Sequence, residues 1–309
     1  MRRDCDAASS VVIGFVILLM LVALGIGIWA LISVPDMVKE AESTHAIELS
    51  NTFLDLKLSA DKVRVNNFEG ARFSMLMPGS SGMSGTTISF TKDMNAKFHI
   101  YDGNTGALVT HYAYGWEGNF GRLSAQVGGT RGTTMIGYEA GGVFRSDNGN
   151  AVWLTPGLIQ IYPDETETNA TVRVDVVMLN LSGEYSISSN WGAPVSIVYQ
   201  GSVDPQESAS VKNNIMNATT LTLSFTPSDE MQKNLWYAMF SEVKERYAVA
   251  VDEFMKKYPD RPSVDPENLK ISIDPQPQLN ILVRTDEWVK VYIREATYDV
   301  SLVNRYEES

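Results

Sequence analysis

The chain has 309 residues, a formal net charge of −12 at pH 7 and a single cysteine. Such an acidic chain argues against nucleic acid or an anionic membrane surface as its partner. One cysteine, Cys5, allows no internal disulfide, so the hydrophobic core alone must hold the fold together.

The N-terminal region contains a long apolar segment. Val11 to Val34 carries no charged residue and is long enough to cross a bilayer as one helix. Arg2 and Arg3 precede it, and Lys39 is the first basic residue after it. The positive-inside rule therefore predicts a single-pass protein of the cell membrane with a cytoplasmic N-terminus and an extracellular large domain. No A-x-A cleavage site follows the segment, which argues against a secretory signal.

The residues that lead into this segment form a recognisable pattern. From Asp6 onward they read DAASSVVIGFVILL, a small-residue stretch followed by V-V-I-G and aliphatic residues. The pattern resembles the N-terminus of archaeal type IV pilin-like proteins over residues 6–35, although that family often has Pro at the place of Ser10. The resemblance implies cleavage by a prepilin peptidase between Ala7 and Ala8, and packing of the released helices into a filament core. An uncleaved signal anchor is the alternative.

Two small residues lie on one face of the apolar helix. Ala23 and Gly27 are four residues apart, and small residues at this spacing let another membrane helix approach closely. We therefore predict contacts with membrane lipid and self-association, or association with other pilin-like subunits, through the N-terminal helix.

An amphipathic stalk is predicted to follow the membrane segment. Pro35 is expected to end or kink the helix, and helical character resumes through residues 35–65 with apolar residues at imperfect helical spacing. The stalk is expected to dock on the following domain along one face. His45 lies on this stalk away from other candidate ligands, and we expect it on the surface.

Residues 66–309 form the predicted β-rich head. The pattern changes to strands from about residue 66 to residue 225, and two turns with Asn-Gly or Asp-Gly character predict hairpins. The first hairpin would join residues 98–101 to 107–112, and the second would join 143–145 to 151–154.

One long helix, at about residues 227–258, interrupts the strands. Thr226 is its predicted N-cap, Pro227 its first residue, and Pro259 follows its end. Further strands are predicted after it, with separate strands at 288–294 and 297–303. The complete pattern predicts an α+β fold: a transmembrane helix at 11–34 after a cytoplasmic leader at 1–10, an amphipathic stalk, and a mainly antiparallel, sandwich-like head with one long packed helix.

Catalytic chemistry is not evident in the sequence. No nucleophile–base pair, P-loop or zinc-binding motif occurs, so we predict no enzymatic activity, no cofactor and no metal site. His99 and His111 would face each other across the first predicted hairpin. Two imidazoles without a nearby cysteine or carboxylate are a weak metal signal, and we interpret them as surface histidines.

Glycosylation sequons occur in the head at Asn169, Asn180 and Asn217. Asn169 follows an acidic, proline-containing stretch that is expected to be exposed, which makes it the strongest of the three candidates.

The sequence favours a structural role at the cell surface. We expect a pilin-like or minor-pilin-like subunit that assembles through its N-terminal helix and presents its head for assembly or adhesion. The alternative is a single-pass anchored ectodomain that binds a ligand, a glycan or an envelope component without forming a filament.

Overall fold

The computed structural model describes residues 3–78, 86–94, 98–102, 120–129, 132–165, 170–183, 186–189, 193–203, 210–212, 219–227, 229–261, 265–283 and 287–302. It begins with helix α1, which runs from Arg3 to Val65 as one element of 63 residues. Pro35 lies inside α1 and does not end it. A proline removes one i→i−4 hydrogen bond, and the turns on both sides of Pro35 remain helical.

Helix α1 ends through a left-handed asparagine. Asn67 has φ +48°, and the backbone N–H of Phe68 donates to the carbonyl of Val63 at 3.1 Å. Asparagine tolerates this conformation better than most residues, and the bond satisfies a carbonyl that the last turn would otherwise leave free. The chain is thereby turned out of the helix axis into the first strand.

The described strands and one further helix follow in chain order: β1 Arg72–Met77, β2 Thr86–Met94, β3 Phe98–Asp102, β4 Phe120–Gly129, β5 Gly132–Glu139, β6 Gly142–Asp147, β7 Asn150–Thr155, β8 Ile159–Pro163, β9 Ala170–Ser182, β10 Ser186–Ser189, β11 Ala193–Val203, β12 Ser210–Lys212, β13 Thr219–Phe225, α2 Glu230–Lys257, a 3₁₀ turn Pro266–Asn268, β14 Leu269–Ser272, β15 Gln278–Val283 and β16 Glu287–Leu302. The α+β class expected from the sequence is confirmed at this level.

The strands form three sheets. Sheet 1 has the order β1-β11-β16-β9-β8, with β12 also paired to β16. Sheet 2 has the order β10-β2-β4-β5-β6-β7, and sheet 3 has the order β14-β15-β13-β3. The described pairings are antiparallel except that of β9 with β16, which run parallel over Ala170–Ser182. The mainly antiparallel character predicted from the sequence is confirmed, and the sandwich-like packing stays a prediction.

Two hydrophobic cores lie on opposite faces of sheet 1. Val172, Val174 and Val176 of β9 belong to the core under α2, whereas Leu179 and Leu181 belong to the core under α1. Side chains alternate between the two faces of a strand, so this change from even to odd positions means that each end of β9 is covered from a different side. β16 makes the same change along its length, with Val289 in the α2 core and even-numbered residues from Ala296 onward in the α1 core.

The α1 core is built around the second half of that helix. The buried α1 residues recur every three or four positions, which places them on one face: Ala46, Leu49, Phe53, Leu56 and Ala60. They pack against side chains from sheets 1 and 2, including Leu123, Tyr199 and Tyr298. The hydroxyl of Tyr298 also donates to the carbonyl of Ala60 at 2.9 Å.

Helix α2 begins later than the sequence predicted. Its N-cap is Asp229, whose side chain accepts from the backbone N–H of Gln232 at 2.7 Å, so the assignment of Thr226 as N-cap is wrong. Aspartate and threonine are both favoured caps, and the sequence alone could not rank two candidates three residues apart. Trp236 of α2 stacks on Phe225 of β13 with ring centroids 3.8 Å apart.

Two further strand predictions are decided by the pairings. The hairpin of β6 and β7 is confirmed, with Asn148 and Gly149 at positive φ in its turn. The separate strands expected at 288–294 and 297–303 are instead one strand, β16, which runs through to Leu302. β3 pairs with β13, and its predicted hairpin partner at 107–112 lies outside the described residues.

His45 is buried, contrary to its predicted place on the surface. It is 5% exposed, and its Nε2 lies 2.8 Å from the hydroxyl of Thr86 on β2. Its Nδ1 is 4.0 Å from the carboxylate of Glu48. Burial lowers the pKa of His45 below its ordinary value of 6.5, and the opposing effect of Glu48 is smaller.

We predict that this buried imidazole makes the head less stable in mild acid. Below about pH 6.5 the unfolded chain binds a proton that folded His45 resists, so the free energy of unfolding falls as the pH falls. The loss is at most about 1.4 kcal/mol per pH unit for one proton. Denaturant unfolding of the detergent-solubilised protein between pH 7.5 and 5.5 measures it. His45→Gln, which keeps a polar partner for Thr86, should have the flatter profile; parallel profiles would contradict the assignment.

Candidate functional site

The first half of α1 is the largest exposed apolar surface of the described structure. Its described side chains from Phe15 to Val34 are outside both cores, and Leu31 is 78% exposed. The most apolar stretch of the helix has a mean hydropathy of 2.9, with none of it buried. Exposed apolar surfaces of this kind mark contacts with membrane or protein. By length and composition, α1 can cross a membrane once.

The same helix passes from this exposed surface into the head. Between Val34 and Ala46 lie twelve positions, or roughly 18 Å of helix. Lys39 in this stretch pairs with Asp36 at 2.8 Å. From Ala46 onward one face is buried in the α1 core. The exposed apolar half and the docked half therefore belong to one rigid element.

The predicted packing face lies on the exposed half of α1. Ala23 and Gly27 are both exposed, and a Cβ built at Gly27 or at Gly25 would meet no atom within 4 Å. Larger side chains at these positions therefore fit the isolated subunit without strain. Ala7 and Ala8, the predicted processing site, lie within the helical backbone of α1.

The sequons are placed differently by the fold. Asn180 lies in β9, in register with Thr297 of β16, so its backbone belongs to a paired strand of sheet 1. Asn169 and Asn217 lie outside the described residues. All three remain candidate acceptors from the sequence alone.

The predicted histidine pair is only partly within the described structure. His99 lies in β3, in register with Ser224 of β13, and His111 lies outside the described residues. Among the side chains that the structure describes, no three histidine, cysteine or carboxylate groups converge as metal ligands would.

No protein-family model, curated protein or solved structure matches this chain. The resemblance to archaeal type IV pilin-like proteins therefore rests on residues 6–35 alone. Those residues occupy the exposed, apolar part of α1, apart from its first turns.

A buried ion pair joins α2 to sheet 2. Arg122 of β4 and Glu139 of β5 are direct cross-strand partners, and the Nε of Arg122 donates to Glu139 at 2.8 Å. Gln232 Nε2 and Trp236 Nε1 of α2 each donate to the other carboxylate oxygen, also at 2.8 Å. Glu139 is fully buried. Its carboxylate therefore accepts from three side chains on two other elements, Arg122 of β4 and Gln232 and Trp236 of α2.

The sequence offered little indication of this cluster. Charged residues in alternating strands normally indicate the solvent face, and Arg122 and Glu139 carry no motif. The one available signal is the i, i+4 spacing of Gln232 and Trp236, which places an amide and an indole N–H on the same face of α2. The arrangement positions α2 and contains no nucleophile, so we assign it a structural role.

Removing the carboxylate of Glu139 should strongly destabilise the head. Glu139→Ala leaves the buried Arg122 guanidinium with only the carboxylate of Asp229, 3.9 Å away, and leaves two donors of α2 without an acceptor, a loss of about 3–5 kcal/mol. Asp147→Ala is the matched control, because Asp147 has only exposed or half-exposed partners, Arg145 at 2.9 Å and the hydroxyl of Thr134 at 2.8 Å, each worth about 1 kcal/mol or less. Denaturant unfolding of both variants measures the difference. Equal losses of unfolding free energy in the two variants would show that the buried pair stabilises the head no more than the half-exposed pair does.

Proposed function

We propose that this protein is a pilin-like or minor-pilin-like structural subunit of the cell surface. In this proposal α1 anchors the chain in the cell membrane and packs against other subunits, while the head faces outward for assembly or adhesion. The observation that carries the proposal is the exposed apolar half of α1, which continues without interruption into the helix at the centre of a head core.

Several features support the orientation and the role. Arg2 and Arg3 precede the apolar segment, and the acidic charge belongs to the chain that follows it, as expected for a cytoplasmic N-terminus and an extracellular head. Because α1 is one rigid helix, apolar at one end and docked on the head at the other, the position of the head is fixed relative to the segment that packs against other subunits. Such a subunit acts by assembly and contact rather than by turnover.

Replacing Gly27 by isoleucine should impair assembly without impairing membrane insertion. A bulky side chain on the Ala23–Gly27 face prevents close approach of a second helix, and the structure has space for it within one subunit. We expect assembled material to fall at least about tenfold, which corresponds to ~1.4 kcal/mol at the contact. Cross-linking and electron microscopy of native membranes and sheared surface material measure assembly.

Gly25→Ile provides a matched control for that experiment. Gly25 lies two positions away, about 200° around the helix, and a Cβ there also meets no atom. The Gly25→Ile substitution adds the same β-branched side chain, with the same effect on helix propensity, on a different face of the helix. Normal assembly of Gly27→Ile, or equal loss in both variants, would reject the Ala23–Gly27 contact.

The second candidate is an anchored ectodomain that binds a ligand and forms no filament. It is favoured by a cavity on the head lined by arginine, glutamine and tyrosine side chains. The two functions predict different N-termini in the mature protein, because filament assembly follows removal of the leader.

Mass spectrometry of the N-terminus of protein extracted from its native membrane separates the two candidates. A mature chain that begins at Ala8 is the result expected for a processed pilin-like subunit. A chain that still begins at Met1 or Arg2 would reject processing, and it would leave the anchored ectodomain as the working function.

A further inference from the structure

A cavity of about 220 Å³ lies where the last turn of α1 meets sheet 1. It is on the face of sheet 1 opposite α2, because Asp175, Val177, Tyr292 and Arg294 occupy the alternate positions to the β9 and β16 residues of the α2 core. The side chains that the argument uses are Arg64, Gln160, Asp175, Tyr292 and Arg294. A space of this size is below the range of about 300–1,000 Å³ that is usual for larger ligands.

Asp175 is the acidic group of this cavity, and its charge is already compensated. Arg173 Nε donates to it at 3.0 Å, and the hydroxyl of Tyr162 donates to it at 2.6 Å. Burial, reinforced by this hydrogen bond, raises the pKa of Tyr162 to about 12. The guanidinium of Arg173 in turn lies 3.9 Å from the ring centre of Tyr292. A carboxylate has about four acceptor positions, so Asp175 retains acceptor capacity towards the cavity.

Arg64 is incompletely satisfied at the inner side of the cavity. Its closest carboxylate is Asp61, at 3.4 Å, and the other oxygen of Asp61 already accepts from Lys57 at 2.6 Å. The Nε of Arg64 is buried and has no hydrogen-bond partner within the described structure. A buried donor without a partner costs free energy, which a bound acceptor would recover.

A second unpartnered group lies nearby. The hydroxyl of Tyr138 is buried and has no hydrogen-bond partner among the described residues. It is close enough to Arg64 that the guanidinium opposes the upward shift that burial, Tyr298 and Asp61 impose on the pKa of Tyr138. Tyr138 belongs to the α1 core and does not line the cavity, but it gives the region around Arg64 a second polar group without a partner.

Arg294 provides the outer cation. It is exposed, lines the cavity from β16, and forms no ion pair with a described residue. Counting the charged lining residues with their ion-pair partners gives three cations, Arg64, Arg294 and Arg173, against two carboxylates, Asp61 and Asp175. This local excess of positive charge occurs on a chain whose net charge is −12.

We propose that this cavity binds a hydroxylated monocarboxylate of the sugar-acid class, with Arg64 and Arg294 binding the carboxylate. Arginine presents paired N–H groups that match a carboxylate. Asp175, Gln160 and Tyr292 supply acceptors, donors and an aromatic surface for hydroxyl groups and the ring. Asp175 can only accept hydrogen bonds when ionised, so it favours a ligand with several hydroxyl groups over monohydrogen phosphate, which has one.

Lipid headgroups of the protein's own membrane are not the source of this ligand. Arg64 lies thirty positions beyond Val34 on α1, or roughly 45 Å along the helix. The proposal goes beyond the proposed function, and it holds whether or not subunits assemble. A free sugar acid and a uronate unit of a glycan share the required chemistry.

The test is calorimetric titration of the full-length protein in detergent with D-glucuronate, acetate, D-glucose and inorganic phosphate. We expect glucuronate to bind at least about tenfold more tightly than the other three, since only it offers both the carboxylate and the hydroxyl groups. A trisaccharide that ends in glucuronate identifies the source: tighter binding than glucuronate indicates a glycan, and weaker binding indicates the free acid.

Arg294→Gln should weaken glucuronate binding about tenfold or more, because it removes a charged donor from an exposed position without disturbing a core. Arg246→Gln is the matched control: Arg246 lies on α2, on the other face of sheet 1, and has an exposed partner in Glu242. Arg64→Gln tests the inner cation provided that its unfolding midpoint is unchanged.

Three results would overturn the proposal. They are the absence of glucuronate binding, equal affinity for acetate or phosphate, and an equal loss of affinity in Arg294→Gln and Arg246→Gln. The last of these would identify a general charge effect rather than a site.

Discussion

The fold depends on one helix that occupies two environments. The first half of α1 is apolar and exposed, and the second half contributes five buried residues to the core between sheets 1 and 2. Burying a large apolar side chain contributes about 1.5–3 kcal/mol, so Leu49, Phe53 and Leu56 together hold the helix firmly. Without them, the side chains of sheets 1 and 2 that face α1 would be open to water. The head is therefore not a separate body attached to α1, because the second half of α1 is part of its core.

The parallel pairing of β9 with β16 extends this dependence to the end of the chain. β16 lies at the centre of sheet 1, and Tyr298 contacts the backbone of Ala60 across 238 positions of sequence. Contacts between such distant segments form late, because the intervening chain must first be ordered. The α1 core is thus complete only when β16 is present, although α1 itself is the first element of the chain.

The main helices and strands could be predicted from the spacing of apolar residues. The interactions of individual polar residues could not be predicted from their chemistry. The apolar segment, the long helix α2 and the β6–β7 hairpin follow from local patterns, since helical spacing, strand alternation and Asn148-Gly149 act over a few residues. His45 and the Arg122–Glu139 pair could not be placed, because their burial is decided by elements far away in sequence. The sequence predicted a surface location for His45 and none for Arg122 or Glu139, yet each of the three has a hydrogen-bond partner inside the fold. The continuity of β16 was hidden for the same reason, since its two ends face different cores. The sugar-acid cavity likewise joins α1, β8, β9 and β16, and no local motif connects them.

The length of α1 separates the proposed assembly face from the proposed ligand cavity. Ala23 and Gly27 lie before Val34, whereas Arg64 lies roughly 45 Å beyond it along the helix. That separation is several times the Debye length of about 8 Å at physiological ionic strength, so charges at the membrane surface do not act on Arg64 and Arg294. The acidic head also disfavours anionic ligands at long range, which limits anion binding to a place where cations are concentrated and partly desolvated. The two proposals are therefore independent of each other: binding at the cavity requires no change at the Ala23–Gly27 face, and packing at that face requires none at the cavity.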